Sequence, residues 1–313
     1  MSSKNHLLYS VVVPVFNSES SLKELFQRIK STFESMSKSF EVIFVNDCSR
    51  DNSIKILNEI YDDNKDGSVI IVDLYNNFGQ QNALMCGFKY CNGDFVITID
   101  DDLQNPPEEI GKLISKIDEG YDAVYGSYNN KKDKVYKNFG SILFRKLNHK
   151  IFNVKNNLIF TSFRIIKIDI VKQLINNKTS FPYISGMLVK ITKNIVNVNV
   201  NHNHRGSGES NYNFSSLVSI SLNLIINHST VLLKLISNFG LFFSLSAFFL
   251  SLWFIYVKFT SSGVVAGWTT IVVLLSFYNA IILITLFIIG IYLSRLLKES
   301  SNQKQYAEKS ILK

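Results

Sequence analysis

The stretch Asp100–Gln104 (DDDLQ), directly after the apolar run Phe95–Ile99, carries the densest chemistry in this 313-residue chain. Alternate side chains of a strand point the same way, so Asp100 and Asp102 are expected to face together and Asp101 to point away. Two carboxylates and an amide oxygen at a strand end suit a hard divalent cation that keeps waters and shares phosphate oxygens. A cation bridging a diphosphate would neutralise a departing nucleoside diphosphate, which is Lewis-acid assistance to displacement. The plainer alternative is an acidic loop capping the helix that begins at Pro106-Pro107.

The elements that must hold these residues read as alternating strands and helices. Tyr9–Val15, Glu41–Val45, Val69–Leu74 and Phe95–Ile99 are short apolar runs, and Asp122–Tyr125 resumes extended structure. Between them, helical spacing predicts helices from about Ser18 to Met36, from Asp51 through Ile60, and from Gln80 to Tyr90. Strands that are hydrophobic throughout are buried on both faces, which argues an open, mostly parallel α/β sheet with flanking helices. Ligands of such sheets sit beyond the carboxyl ends of the strands. The polar residues expected there are Asn17, Glu19, Asn46, Asp47, Asn76, Asn77 and Asp100–Asp102.

Charge is distributed unevenly. The net charge is +8; residues 1–209 hold 26 basic and 23 acidic groups, residues 210–313 only seven and two. Leu235–Val257 and Trp268–Leu293 are long uncharged runs, joined by a link with Lys258 and Gly263–Gly267. About 20 apolar residues suffice to cross a bilayer core, so a transmembrane hairpin is expected. Phe214–Ile236 has apolar residues at helical spacing and reads as an interfacial helix. Basic residues from Arg295 onward set the N-terminal part and the tail on the cytoplasmic side, at the cell membrane. Met1–Ser10 is too polar for a signal peptide. Cys48, Cys86 and Cys91 suit a reducing compartment as buried side chains, and no basic helix suggests nucleic acid.

Four stretches resemble family 2 glycosyltransferases of the GT-A fold, in the dolichyl-phosphate-mannose-synthase-like branch that acts on polyisoprenyl phosphates. VVPVFNSE (Val12–Glu19) is similar to V-V-P-x-[YF]-N-x-E, and FVNDCSRDNS (Phe44–Ser53) to V-D-D-G-S-x-D-x-S, with Asn46 and Cys48 as departures. NNFGQQNALMCG (Asn76–Gly87) resembles R-N-F-G-K-x-x-A-x-x-x-G, and IDDDLQNPPE (Ile99–Glu108) resembles D-x-D-L-Q-x-P-P-E. The resemblance covers about Tyr9–Tyr212. It implies that Pro14, Phe16, Glu19, Asp47 and Asn77 line the donor pocket, although strand-end packing is an equal reading of Pro14 and Phe16. Asp100 would face the donor, and Asp102 with Gln104 would hold Mg²⁺ or Mn²⁺. Ser162-Phe163-Arg164 and HNHRGSGESNY (His202–Tyr212) resemble two further family stretches, which implies phosphate-binding roles for Arg164 and Arg205, with Ser210 and Tyr212 beside the acceptor phosphate. Lys137 and Ser141 match a basic residue four before Ser, with a solvated helix face as the alternative for Lys137. For His202 and His204, a polar loop edge is favoured over a metal pair.

Transfer to a sugar hydroxyl needs a carboxylate base, yet Asp169 is the one carboxylate between Asp133 and Glu209. A phosphate acceptor is already ionised at pH 7 and needs none. The expected activity is therefore an inverting transfer of one sugar from a nucleotide sugar, UDP-linked ahead of GDP-linked, to a polyprenyl phosphate. The expected layout is a cytoplasmic GT-A domain over 1–212, an interfacial helix over 213–234, a hairpin over 235–293 and a basic cytoplasmic tail over 294–313. Gly240, Ser244 and Ser246 offer small packing surfaces for homo-oligomers. Two alternatives stay open: extension of a lipid-linked glycan at a hydroxyl, with Asp101 or Asp169 as base, and a non-catalytic membrane protein that binds nucleotide sugars or flips lipids.

Overall fold

The computed structural model describes residues 8–128 except 66, 158–203 except 178, 180 and 181, part of 238–256, and residues 267–300 and 305–313. The chain divides into two compact units, Met1–Asn213 with Lys304–Lys313, and Phe214–Gln303.

In the first unit the elements run β1 (Leu8–Val15), α1 (Leu22–Ser35), β2 (Ser39–Asn46), α2 (Ser53–Asp62), β3 (Val69–Leu74), α3 (Gln80–Phe88) and β4 (Phe95–Thr98). A 3₁₀ turn at Pro107–Glu109 leads into α4 (Ile110–Ile117) and β5 (Ala123–Ser127). β6 (Arg164–Lys167), α5 (Ile168–Asn176), α6 (Ile184–Ile191) and β7 (Ile195–Asn199) follow, and β8 (Glu308–Leu312) completes the unit. The eight strands form one sheet in the order β7-β5-β6-β4-β1-β2-β3-β8. The β4-β1-β2-β3 centre is parallel, with Val12 opposite Ile43 and Thr98. β6 runs antiparallel between β4 and β5, and β8 antiparallel along β3.

The sheet is covered on both faces, as its uninterrupted apolar strands require. β1 sends Val11, Val13 and Val15 into one core with Phe26, Ile29, Phe33, Leu57 and Leu113. Val12 enters the other, with Ile43, Val45, Val96, Leu84, Phe88 and Leu188. α3 lies against β1 and β2 at Gly87, where a Cβ would overlap Val12 Cγ1 and press on Val45 Cγ2 at 3.1 Å. That close approach fixes the height of the N-terminal end of α3 above the strand ends.

Residues 294–313 do not simply trail as a basic tail: 308–312 form the edge strand β8. Lys309 Nζ is 3.1 Å from Asp73 Oδ2, Tyr61 donates its hydroxyl to the Lys313 carbonyl at 2.5 Å, and Lys313 Nζ stands 4.8 Å over the Tyr90 ring. These two lysines thus carry partners in the sheet unit. β7 ends at Asn199, so His202 lies past the strand; its ring is tilted against Tyr128, with the ring centroids 4.0 Å apart.

In the second unit, α7 (Trp268–Ser300) has 33 residues, about 50 Å at 1.5 Å per residue. Among the described residues it is the one helix long and apolar enough to cross a membrane, and its apolar stretch Phe277–Ser294 is unburied. It matches the second expected span. The first span is described only in part, and its described residues between 238 and 256 are helical; the interfacial segment 213–234 lies outside the described residues.

Gly87→Ala should cost about 1–3 kcal/mol of stability through overpacking against Val12 and Val45. Denaturant unfolding of the full chain in detergent would detect it, and an unchanged midpoint would mean that α3 lifts freely from the sheet.

Candidate functional site

Four loops leave the carboxyl ends of the central strands: 16–21 after β1, 47–52 after β2, 75–79 after β3 and 99–106 after β4. Each is tied to the next by side-chain oxygens. Asn17 Oδ1 accepts the Arg50 N–H at 2.8 Å and Glu19 Oε2 the Asn52 N–H at 2.8 Å, while Asp51 Oδ2 accepts the Glu19 N–H at 3.1 Å. Asp47 takes the Phe78 and Gly79 N–H groups at 2.7 and 2.8 Å, one on each oxygen. Gln80 Nε2 donates to Asp100 Oδ1 at 2.6 Å. Asp101 Oδ2 closes the circle, accepting the Phe16 N–H at 3.0 Å and the Ser18 hydroxyl.

At the centre, Asp100 Oδ2 accepts the Ser162 hydroxyl, and the Ser162 carbonyl in turn accepts the Thr98 hydroxyl. Burial pushes Asp100 up to about 6; Asp102 and Asp101 add to the rise, and the Ser162 hydroxyl and Arg164 oppose it. Burial likewise raises Asp101 against its bonds from Ser18 and Phe16, and raises Asp47 against those from Phe78 and Gly79. β4 stops at Thr98, one residue before the expected end, and Leu103 has φ 58°, so Asp100–Gln104 form a turn rather than a continued strand. In that turn Asp102 Oδ1 accepts the Gln104 N–H at 3.1 Å.

Among the described residues no three His, Cys, Asp or Glu side chains converge as a ready-made cage. Asp102 and Gln104 offer oxygen donors alone, which suits Mg²⁺ or Mn²⁺ completing their shells with water and phosphate oxygens. The upward push of neighbouring carboxylates on Asp100 is the charge crowding that a divalent cation relieves. The oxygen-donor chemistry of this turn therefore fits such an ion.

The other expected site residues divide by location. Phe16 is 44% exposed at the head of its loop, and Asn77 is exposed on the third loop. Pro14 is buried within β1 opposite Val45, as packing would have it. Glu19 and Asp47 serve as inter-loop braces. Arg164 is 2% exposed, donates from Nη1 to Ser185 Oγ at 3.1 Å and stands 5.7 Å from the Tyr125 ring centroid. Its Nε is buried and lacks a hydrogen-bond partner among the described residues. Lys137, Ser141, His204, Arg205, Ser210 and Tyr212 lie outside the described residues. The segment leading to Arg205 is anchored beside the acidic turn: Glu109 takes the Asn201 N–H at 3.0 Å and its Nδ2 at 2.9 Å, and the Asn203 N–H reaches the Gln104 carbonyl at 2.8 Å. Asp169 sits exposed in the first turn of α5, 3.9 Å from Lys172 Nζ. The bracing by Asp101 and Glu109 was not foreseen, because the partners lie 85 and 92 residues away in sequence.

Residues 10–175 match the model of glycosyl transferase family 2. The chain is 30% identical over 302 residues to the uncharacterized glycosyltransferase YkcC of Bacillus subtilis (strain 168), covering 96% of this chain and 93% of the relative. It is 32% identical over 243 residues to the undecaprenyl-phosphate 4-deoxy-4-formamido-L-arabinose transferase of Shewanella sediminis (strain HAW-EB3), covering 75% and 73%. Among solved structures, glucosyl-3-phosphoglycerate synthase from Mycobacterium tuberculosis, in complex with Mn²⁺, UDP and phosphoglyceric acid, superposes with a TM-score of 0.53 at 18% identity, over 70% of this chain and 76% of that one. That likeness shows a shared fold.

A carboxyl raised from 3.8 to about 6 by folding favours the folded state most below pH 3.8, and that contribution is lost as pH rises through 6. In metal-free protein, the melting temperature of wild type relative to Asp100→Asn should therefore fall between pH 4 and pH 7, by roughly 3 °C or more. A pH-independent difference would mean that Asp100 is not held in a desolvated site.

Proposed function

The chain belongs to glycosyl transferase family 2, and on that footing we propose that it moves one sugar, with inversion, from a nucleoside diphosphate to a polyprenyl phosphate. The observation that carries this acceptor class is the 32% identity, over three quarters of the chain, to an undecaprenyl-phosphate sugar transferase. The long apolar helix α7 and the bonds of Asp101 to Phe16 and Ser18, which occupy it away from a base role, support it, as does the place of Asp169 on the exposed first turn of α5.

In this reading Phe16 and Asn77 meet the nucleotide, while Glu19 and Asp47 shape the pocket through the loops they brace. Asp102 and Gln104 hold Mg²⁺ or Mn²⁺, which supplies Lewis-acid stabilisation of the departing diphosphate. Asp100, fixed by Ser162 and Gln80, faces the sugar. Arg205 grips phosphate oxygens, where a planar guanidinium can bind two at once. Arg164, buried and bonded to Ser185, lends its positive charge to Asp100. Lys137, Ser141, Ser210 and Tyr212 receive the acceptor phosphate. An oxygen of the lipid phosphate attacks the anomeric carbon opposite the departing diphosphate. The new C–O bond forms as the old one breaks, and the nucleoside diphosphate leaves with the electron pair. The acceptor is ionised at pH 7, so no general base takes part. The catalytic unit faces the cytoplasm, anchored by a hairpin over 235–293 that is also the surface for self-association. The donor is UDP-linked ahead of GDP-linked.

Purified protein in detergent, with undecaprenyl phosphate, Mn²⁺ or Mg²⁺ and UDP- and GDP-sugars including nucleotide-linked 4-deoxy-4-formamido-L-arabinose, should yield a base-labile lipid phosphosugar from one donor. Asp102→Ala should lower turnover by ~100-fold or more, several kcal/mol of lost charge stabilisation. Donor binding without product on any lipid phosphate would overturn the acceptor assignment in favour of a hydroxyl.

A further inference from the structure

Asp101 stands between Asp100 and Asp102 in sequence, yet its side chain bonds to the loop after β1. Its Oδ2 accepts the backbone N–H of Phe16 at 3.0 Å and the hydroxyl of Ser18, and its carbonyl accepts the hydroxyl of Ser21. All three partners belong to the loop after β1. On its other side that loop is held by Ser49 Oγ, which takes the Asn17 N–H at 3.0 Å, and by Ser53 Oγ, which takes the Ser18 N–H at 2.9 Å. Asn17, between the two ties, is in the left-handed region at φ 53°, a conformation that persists when its surroundings over-determine it. Phe16 leaves this clamp with its backbone fixed and its ring 44% exposed.

We propose that Asp101 is a positioning residue that presents Phe16 to the nucleotide of the donor and does not hold the metal. The inference rests on the reading of the strand-end loops as a nucleotide-sugar pocket. Within that pocket Asp101 acts through Phe16: the carboxylate joins the loop that meets the nucleotide to the turn that carries Asp100 and Asp102. Cutting the tie leaves the metal holders in place and frees the loop, so the loss falls on donor capture and spares the chemical step.

The test compares Asp101→Ala, Asp101→Asn and Ser18→Ala in the full-length protein in detergent, with UDP–Mn²⁺ binding, steady-state kinetics and amide hydrogen exchange read together. Asp101→Ala should raise the donor KM and the UDP–Mn²⁺ Kd by ~10-fold, the size of one lost charge-assisted hydrogen bond, with kcat at saturating donor within ~2-fold. Exchange at the Phe16 amide should quicken by ~10-fold on the same ground. Asp101→Asn keeps an acceptor for that amide and should restore KM to within ~3-fold of wild type. Should Asp101→Ala fail to fold, Ser18→Ala removes only the hydroxyl half of the tie and should show the same KM-only effect at ~3-fold. A fall in kcat of ~10-fold or more at unchanged KM would overturn the inference and make Asp101 part of the reacting centre. Unchanged KM, Kd and exchange would overturn it as an inert contact. If wild type bound no nucleotide, the functional reading would fail, and exchange at Phe16 would still decide separately whether Asp101 holds the loop.

Discussion

Everything at the carboxyl edge of this sheet depends on anionic oxygens being turned onto the backbone amides of a neighbouring loop. A strand loses its ladder partners where it ends, and its next N–H groups must find other acceptors or stay solvated. Asp47 over Phe78 and Gly79, Glu19 over Asn52 and Asp101 over Phe16 answer that need across loops rather than within them. Bonds to charged acceptors are stronger than neutral ones, and partial burial makes their loss expensive. The same carboxylates give this edge its negative potential, so the framework and the charge of the loops come from one set of groups. Backbone strain is part of the arrangement. Asn17, Cys48 and Leu103, one in each of three loops, sit at φ 53°, 57° and 58°.

Beneath the loops, the two cores leave little freedom in where the loops begin. Val11, Val13 and Val15 point one way from β1 and Val12 the other, so β1 cannot slide by one residue without exchanging its two cores. Gly87 brings α3 onto Val12 and Val45, which places Gln80 within 2.6 Å of Asp100. The reach of that amide thus depends on packing two turns along the helix together with the hold of Asp47 on Phe78 and Gly79.

The fold was legible because its signal is local. Short apolar strands bounded by Asn, Asp and Pro, alternating with amphipathic helices, specify a parallel sheet with little ambiguity. The placement of Asp100, Asp102 and Gln104 together at the end of β4 was legible because residues so close in sequence share one turn. The resemblance also marked position 48 as a glycine site, and Cys48 does occupy the left-handed backbone that explains the glycine. The roles of Glu19, Asp47 and Asp101 as braces were illegible, since each depends on a partner brought near only by the folded sheet. Arg164 shows what a motif leaves out: the resemblance gives it a phosphate-binding role, and its burial at 2% exposure with a bond to Ser185 comes from the fold around it. β8 left no trace because Glu308–Leu312 (EKSIL) lies in a polar stretch with two apolar residues, and its strand character comes from the edge it joins.

That edge ties the order of synthesis to the completion of the sheet. β3 is made early, yet the strand that covers its outer side begins at Glu308, more than 230 residues later. In the interval the ribosome produces every apolar stretch of the second unit while the backbone of Val69–Leu74 keeps an unpaired side, the kind of surface on which chains associate wrongly. Asp73 and Tyr61 likewise wait for Lys309 and Lys313. The catalytic sheet therefore cannot be finished before the second unit has been translated, which makes β8 a timekeeper: a nascent chain reaches its full set of strand pairings only after the long apolar helix α7 has been made.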